Sequence, residues 1–182
     1  MIIVYILVFI FAWELMMWCR RMYLKRDYYI RAIERARILS RPLIVIGDPS
    51  GGPTDKLMGY RSYGCGDLTL DIEVSDDCNG IADDITKSLP LLESDSYVIF
   101  SSFTLEYIKD LEKLIPHLYR VAGSHENIFI VSGGPFELIS YCEPWMPLMQ
   151  YSWSKNVITH APPTSKHIKF FIKPKFLRDR DD

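Results

Sequence analysis

The chain opens on nineteen residues, MIIVYILVFIFAWELMMWC, in which every position except Glu14 is apolar or aromatic. As a helix this run is about 28 Å long, near the hydrocarbon thickness of a bilayer. No basic residue precedes it, and Trp18, Cys19, Arg20 and Arg21 follow it. A cleaved secretory signal has the opposite pattern, basic residues first and small residues last. The pattern therefore predicts a retained single-pass anchor over residues 1–19. Glu14 is expected near the interface, and Trp13 and Trp18 in the aromatic belt.

Residues 20–41 continue without Gly or Pro and mix Tyr28, Tyr29, Ile30, Ile33 and Ile38 with arginines. This predicts a basic juxtamembrane helix, lying on anionic lipid or packed by one side against the domain. Pro42 ends it and opens a globular part at 42–176, with a charged tail at 177–182. PLIVIGD (Pro42–Asp48) is short and apolar, as a buried parallel strand is. The eighteen residues after it hold five glycines and two prolines, with room for a helical turn only around Asp55–Met58. DLTLDIE (Asp67–Glu73) alternates and predicts a second, exposed strand, with a turn at Asp76–Gly80. A short helix is expected before Pro90. YVIFSSF (Tyr97–Phe103) and NIFIVSGGP (Asn127–Pro135) read as two more buried strands. Between them Leu105, Ile108, Leu111, Leu114, Ile115 and Leu118 recur at helical spacing, and Gly123 stops the helix. Phe136–Trp153 reads as irregular helix. Asn156–Pro162 and Lys166–Pro174 read as an antiparallel hairpin. Strands alternating with helices predict an α/β, doubly wound, mostly parallel sheet.

Charge divides the chain in the same places. Residues 20–41 carry eight Lys or Arg against Asp27 and Glu34, whereas residues 42–165 carry seven basic and seventeen acidic residues. The basic run after the anchor predicts a cytoplasmic domain by the positive-inside rule. The acidic centre disfavours nucleic acid, whose phosphates it would repel. The basic stretch after Ser165 reads as an edge strand protected by lysines. Cys65 and Cys78 have no metal-site spacing and no nearby histidine, so no zinc site is expected. In a cytoplasmic compartment these thiols are expected to stay reduced. His117, His125, His160 and His167 are scattered, and no catalytic residue can be assigned from spacing.

Asp95–Gly134 resembles the fourth strand, following helix and fifth strand of class I S-adenosylmethionine-dependent methyltransferases of the type 11 group. Leu105-Glu106-Tyr107-Ile108 stands where that group has Leu-Glu-His-Ile. VIGDPSGGP stands where it has an acid and a glycine-rich loop. The resemblance covers about Pro42 to Pro174 and implies a Rossmann-like, methyltransferase-type sheet. It implies S-adenosylmethionine over Gly47, Asp48, Gly51 and Gly52, with the ribose on Asp71. Asp84 and Ile85 would lie beside the adenine, and Ser101 at the end of the fourth strand. The sequence departs from the group's pattern in three ways. Its acid follows a glycine, Pro49 and Pro53 remove two loop N–H groups, and the group's histidine is Tyr107. The chain also looks similar to short membrane-anchored proteins of large DNA viruses. Two functions are implied: a membrane-anchored methyltransferase, or a non-catalytic module, such as a viral membrane or virion protein with a protein partner, that reuses the fold.

Overall fold

A computed structural model describes residues 1–50, 60–105, 108 and 111–131. The first element is one helix, α1 (Ile2–Leu39), with no break between the apolar run and the basic stretch. It is long and apolar enough to cross a membrane. Ser40 closes it in the left-handed conformation (φ 53°), and the Arg41 amide returns to the Ala36 carbonyl at 3.0 Å. This is the usual helix stop, and Pro42 prevents resumption.

The chain then alternates through β1 (Leu43–Ile46), β2 (Leu68–Asp71), β3 (Gly80–Ala82), a single helical turn α2 (Ile85–Ser88), β4 (Val98–Ser102), α3 (Leu111–Ala122) and β5 (Ile128–Val131). The strands form one sheet in the order β3-β2-β1-β4-β5, and every neighbouring pair is parallel. The three strands read as continuous apolar runs, β1, β4 and β5, are adjacent in it. The second strand is not exposed: Thr69 and Leu70 are fully buried, because β3 covers its outer side. Gly80 belongs to that edge strand and not to a turn. A three-residue strand with all positions exposed has too little apolar pattern to be read from sequence. The expected C-terminal hairpin and the irregular helix before it lie outside the described residues.

The period of two divides the sheet residues between two cores. Ile44, Ile46, Leu70, Ile99, Ile128 and Ile130 point to the face covered by α2 and α3. On α3, Leu114, Ile115, Leu118, Val121 and Ala122 form the matching apolar stripe, while Pro116 lies on its exposed side. Leu43, Val45, Val98, Phe100, Phe129 and Val131 point to the other face, which α1 covers. Ala32 and Ala36, one turn apart and both buried, bring the helix backbone close to the sheet. Phe100 sits at the centre of an aromatic cluster, with ring centroids 5.4 Å from Tyr29 and 5.2 Å from Tyr63. The structure is thus three-layered, and the basic helix forms one of the layers.

Polar contacts fasten the layers at the end where the strands begin. Arg35 reaches Asn127 Oδ1 at 2.9 Å, and Asn127 donates to the Ala122 carbonyl at 2.8 Å. Arg41 pairs with Asp95 at 2.8 Å. Gly123 has φ 72°, and a side chain there would overlap the Asp95 carboxylate. From the end of α3, the Arg120 guanidinium donates to the carbonyls of Leu89, Pro90 and Leu92 and to Ser94 Oγ. Those carbonyls belong to a short 3₁₀ turn and its exit, where the carbonyls at a helix end need partners from outside it.

Cys65 and Cys78 form a disulfide, with Cα atoms 5.5 Å apart, within the usual range. The expectation of reduced thiols is therefore not met in this structure. Residues 61–67, which lead into β2, run beside residues 77–79 of the loop from β2 to β3, and this proximity is invisible in the spacing of the two cysteines.

Two outcomes follow from this packing. Arg120→Ala should destabilise the folded chain by about 2–4 kcal/mol in denaturant unfolding, because several charged hydrogen bonds are lost together. Thiol alkylation of the unreduced chain should modify Cys19 and leave Cys65 and Cys78 unlabelled until a reductant is added.

Candidate functional site at the carboxyl ends of the strands

From β1 the chain moves outward to β2 and β3, and β4 and β5 lie on the other side of β1. Connections therefore diverge between β1 and β4, and such a divergence leaves a crevice beyond the strand ends. Gly47, Asp48, Asp71 and Ser101 end β1, β2 and β4 and come together there. Asp84 and Ile85 lie at the end of β3, towards the sheet edge. Gly51 and Gly52 lie outside the described residues.

Gly47 has φ 100° and donates to the Leu70 carbonyl at 2.9 Å. A side chain at this position would overlap Thr104 Oγ1. The glycine thus permits close approach, and the group that approaches is Thr104 of the same chain. Thr104 Oγ1 itself donates to the Ser102 carbonyl at 3.2 Å.

The carboxylates are engaged with the backbone. Asp71 Oδ2 accepts the Asp48 N–H at 2.6 Å, and Asp71 Oδ1 accepts the Ile72 N–H at 2.6 Å. Asp48 is buried, and its carboxylate accepts the N–H groups of Ser50 and, at 2.6 Å, Ser75. Burial pushes the Asp48 carboxyl up, but the amides and hydroxyls of Ser75 and Ser50 together outweigh it and hold the group below the ordinary carboxylate value. Asp71 and Asp48 therefore form a relay that ties the loop after β1 to the loop after β2. Asp84 caps α2, accepting Thr86 N–H at 2.9 Å and Thr86 Oγ1 at 2.7 Å. The Thr86 hydroxyl and amide hold its carboxyl low. Ile85 is buried in the α3-side core. Asp67, just before β2, accepts the Leu43 N–H at 2.7 Å at the opposite end of the sheet.

Ser101 and Ser102 are the last two residues of β4. Both hydroxyl oxygens are buried, and among the described residues neither has a hydrogen-bond partner. They are the polar groups left over where β4 ends. Among the described residues no group of three or more His, Cys, Asp or Glu is placed to hold a metal ion. Sequence reading places Phe103 and Thr104 in the strand-end region Ser101–Thr104 without giving either a role, and it does not single out Ser75. Phe103 has φ 53° and carries Arg21 and Lys25 over its ring, with distances of 5.1 and 5.2 Å to the ring centroid. A bulky residue in the left-handed region has no signature in sequence.

No protein-family profile matches the chain, and no curated protein or solved structure matches it either.

The depressed Asp48 and Asp84 carboxyls fix the sign of an acid effect. Their folded-state values lie below the ordinary 3.8, so the stability they contribute is fully present above that pH. It is lost as pH falls below it through the folded values. Unfolding midpoints should therefore drop below about pH 4, and Asp48→Asn should flatten that part of the profile while lowering stability at neutral pH.

Proposed function

We propose that this chain is a membrane-anchored, non-catalytic binding or structural module built on a methyltransferase-like, Rossmann-like sheet. The supporting strand order is the one that dinucleotide-binding sheets use about their switch point. The observation that carries the non-catalytic reading is the engagement of Asp71. Both its oxygens accept backbone N–H groups at 2.6 Å, where a ribose diol would need them. Thr104 over Gly47 adds to this, since a nucleoside loop needs that space for the ligand. The module presents itself to a protein partner at the bilayer, with anionic lipid gathered by the basic residues of 20–41.

The second reading is an S-adenosylmethionine-dependent methyltransferase acting near the membrane, in which loop movement frees Asp71 and Thr104. The buried, unpartnered hydroxyls of Ser101 and Ser102 favour it, because a ligand could satisfy them. In this reading Gly47, Asp48, Gly51, Gly52, Asp84 and Ile85 keep the cofactor roles implied by the resemblance.

The eight basic residues after the anchor support a domain on the cytoplasmic side. The disulfide argues for an oxidising compartment. A glycosylation acceptor in the tail decides between them: it stays unmodified if the domain is cytoplasmic and is modified if the domain is translocated.

Calorimetric titration of the full chain in nanodiscs with S-adenosylmethionine separates the two functions. The module reading predicts no saturable heat at millimolar cofactor. Saturable binding that Asp71→Ala weakens by about tenfold to a hundredfold would establish the enzyme reading instead.

A further inference from the structure

The helix that reads as the membrane anchor also fixes which end of the sheet meets the membrane. Its last residues, Ala36 and Leu39, pack by the beginnings of the strands, and a short turn leads from Leu39 into β1. Near its middle, Arg21 and Lys25 lie over Phe103, the residue that follows the carboxyl end of β4. Lys25 also lies 5.8 Å from the Tyr63 ring centroid. The helix therefore runs antiparallel to the five strands. No break, glycine or proline interrupts it between the apolar run and these contacts. Arg21 is two residues beyond Cys19, which is about 3 Å of helix rise.

From this we infer that the face formed by the carboxyl ends of the strands lies against the headgroup layer of the bilayer that α1 spans. The inference rests on the anchor reading. The occupant of this face is the lipid headgroup layer, because the apolar span is continuous with the helix that positions the face. Arg20, Arg21, Lys25 and Arg26 form a basic collar at the junction, where phosphates of the headgroups lie. Ile72, the first residue after β2, is 76% exposed on this side. Leu91, 85% exposed, lies at the opposite end, between Pro90 and Leu92, whose carbonyls Arg120 holds. The two positions are separated along the strand direction by about 15 Å, the length of four to five strand residues. The crevice between β1 and β4 accordingly opens towards the membrane. Whatever it admits arrives at the bilayer surface and not from the bulk solution.

The test uses the full chain with Cys19→Ser and Cys142→Ser, the Cys65–Cys78 pair left oxidised, and a single fluorophore on Ile72→Cys or Leu91→Cys. The protein is placed in phosphatidylcholine–phosphatidylglycerol nanodiscs with and without a lipid bearing a headgroup nitroxide. Emission at position 72 should be largely lost with the nitroxide lipid, and emission at 91 largely kept. A seven-alanine insertion between Arg20 and Arg21 adds about two helical turns and about 10 Å while leaving the domain untouched. It should restore most of the emission at position 72. Equal quenching at both positions, stronger quenching at 91, or no effect of the insertion would overturn the assignment of the face. Extraction of the chain from membranes by alkaline carbonate would overturn the anchor reading, and the face assignment with it.

Discussion

The packing of the second half of α1 on the sheet is the contact on which the remaining structure depends. A parallel sheet needs both faces covered, since its strands are apolar on both. Here one face has α3 and the short α2. The other has the basic helix, applied through Ala32, Ala36 and the aromatic cluster of Tyr29, Tyr63 and Phe100. Without that helix Leu43, Val45, Val98, Phe100, Phe129 and Val131 would face water. The arginines of the helix do not oppose this packing. Arg35 reaches Asn127 at its rim, and Arg41, just beyond its end, pairs with Asp95. The apolar N-terminal segment and the domain are thus joined by one continuous helix.

The same constraint shapes the strand ends. Sheets of this order usually have a helix-braced loop after the first strand, and such a loop offers free N–H groups to a ligand. In this chain the described start of the loop after β1, Gly47–Ser50, is held by carboxylates. Asp71 holds the Asp48 amide, and Asp48 holds the amides of Ser50 and Ser75. Acids at these positions are compatible with a ligand site and with a loop clasp, and the geometry described is that of a clasp. Ser101 and Ser102 are the contrary feature. Two buried hydroxyls without partners are uncommon, because each leaves a desolvated polar group unsatisfied.

Much of this architecture was legible in the residues. Leu43–Ile46, Val98–Phe100 and Ile128–Val131 are continuous apolar runs, and such runs belong in the middle of a parallel sheet. The α3 stripe and the stop at Gly123 follow from helical periodicity. The place of Asp48 and Asp71 at strand ends was legible for the same reason. What could not be read was whatever depends on contacts between distant segments. β3 is three residues with no periodicity to betray it. The Cys65–Cys78 disulfide depends on two loops running side by side. Thr104 fills the space over Gly47 because Phe103 turns the chain through a left-handed conformation. The backbone partners of Asp71 likewise depend on the path of the loops, which residue type alone does not determine.

Amide hydrogen exchange along α1 in the membrane-embedded full chain tests most directly whether the basic helix is a layer of the domain. If it is, the amides of Tyr28–Leu39 exchange as slowly as those of β1 and β4, since both are released only by unfolding of the domain. If those amides exchange quickly while the strands stay protected, the helix is a solvated stalk, and the account of a sheet covered by the N-terminal helix is wrong.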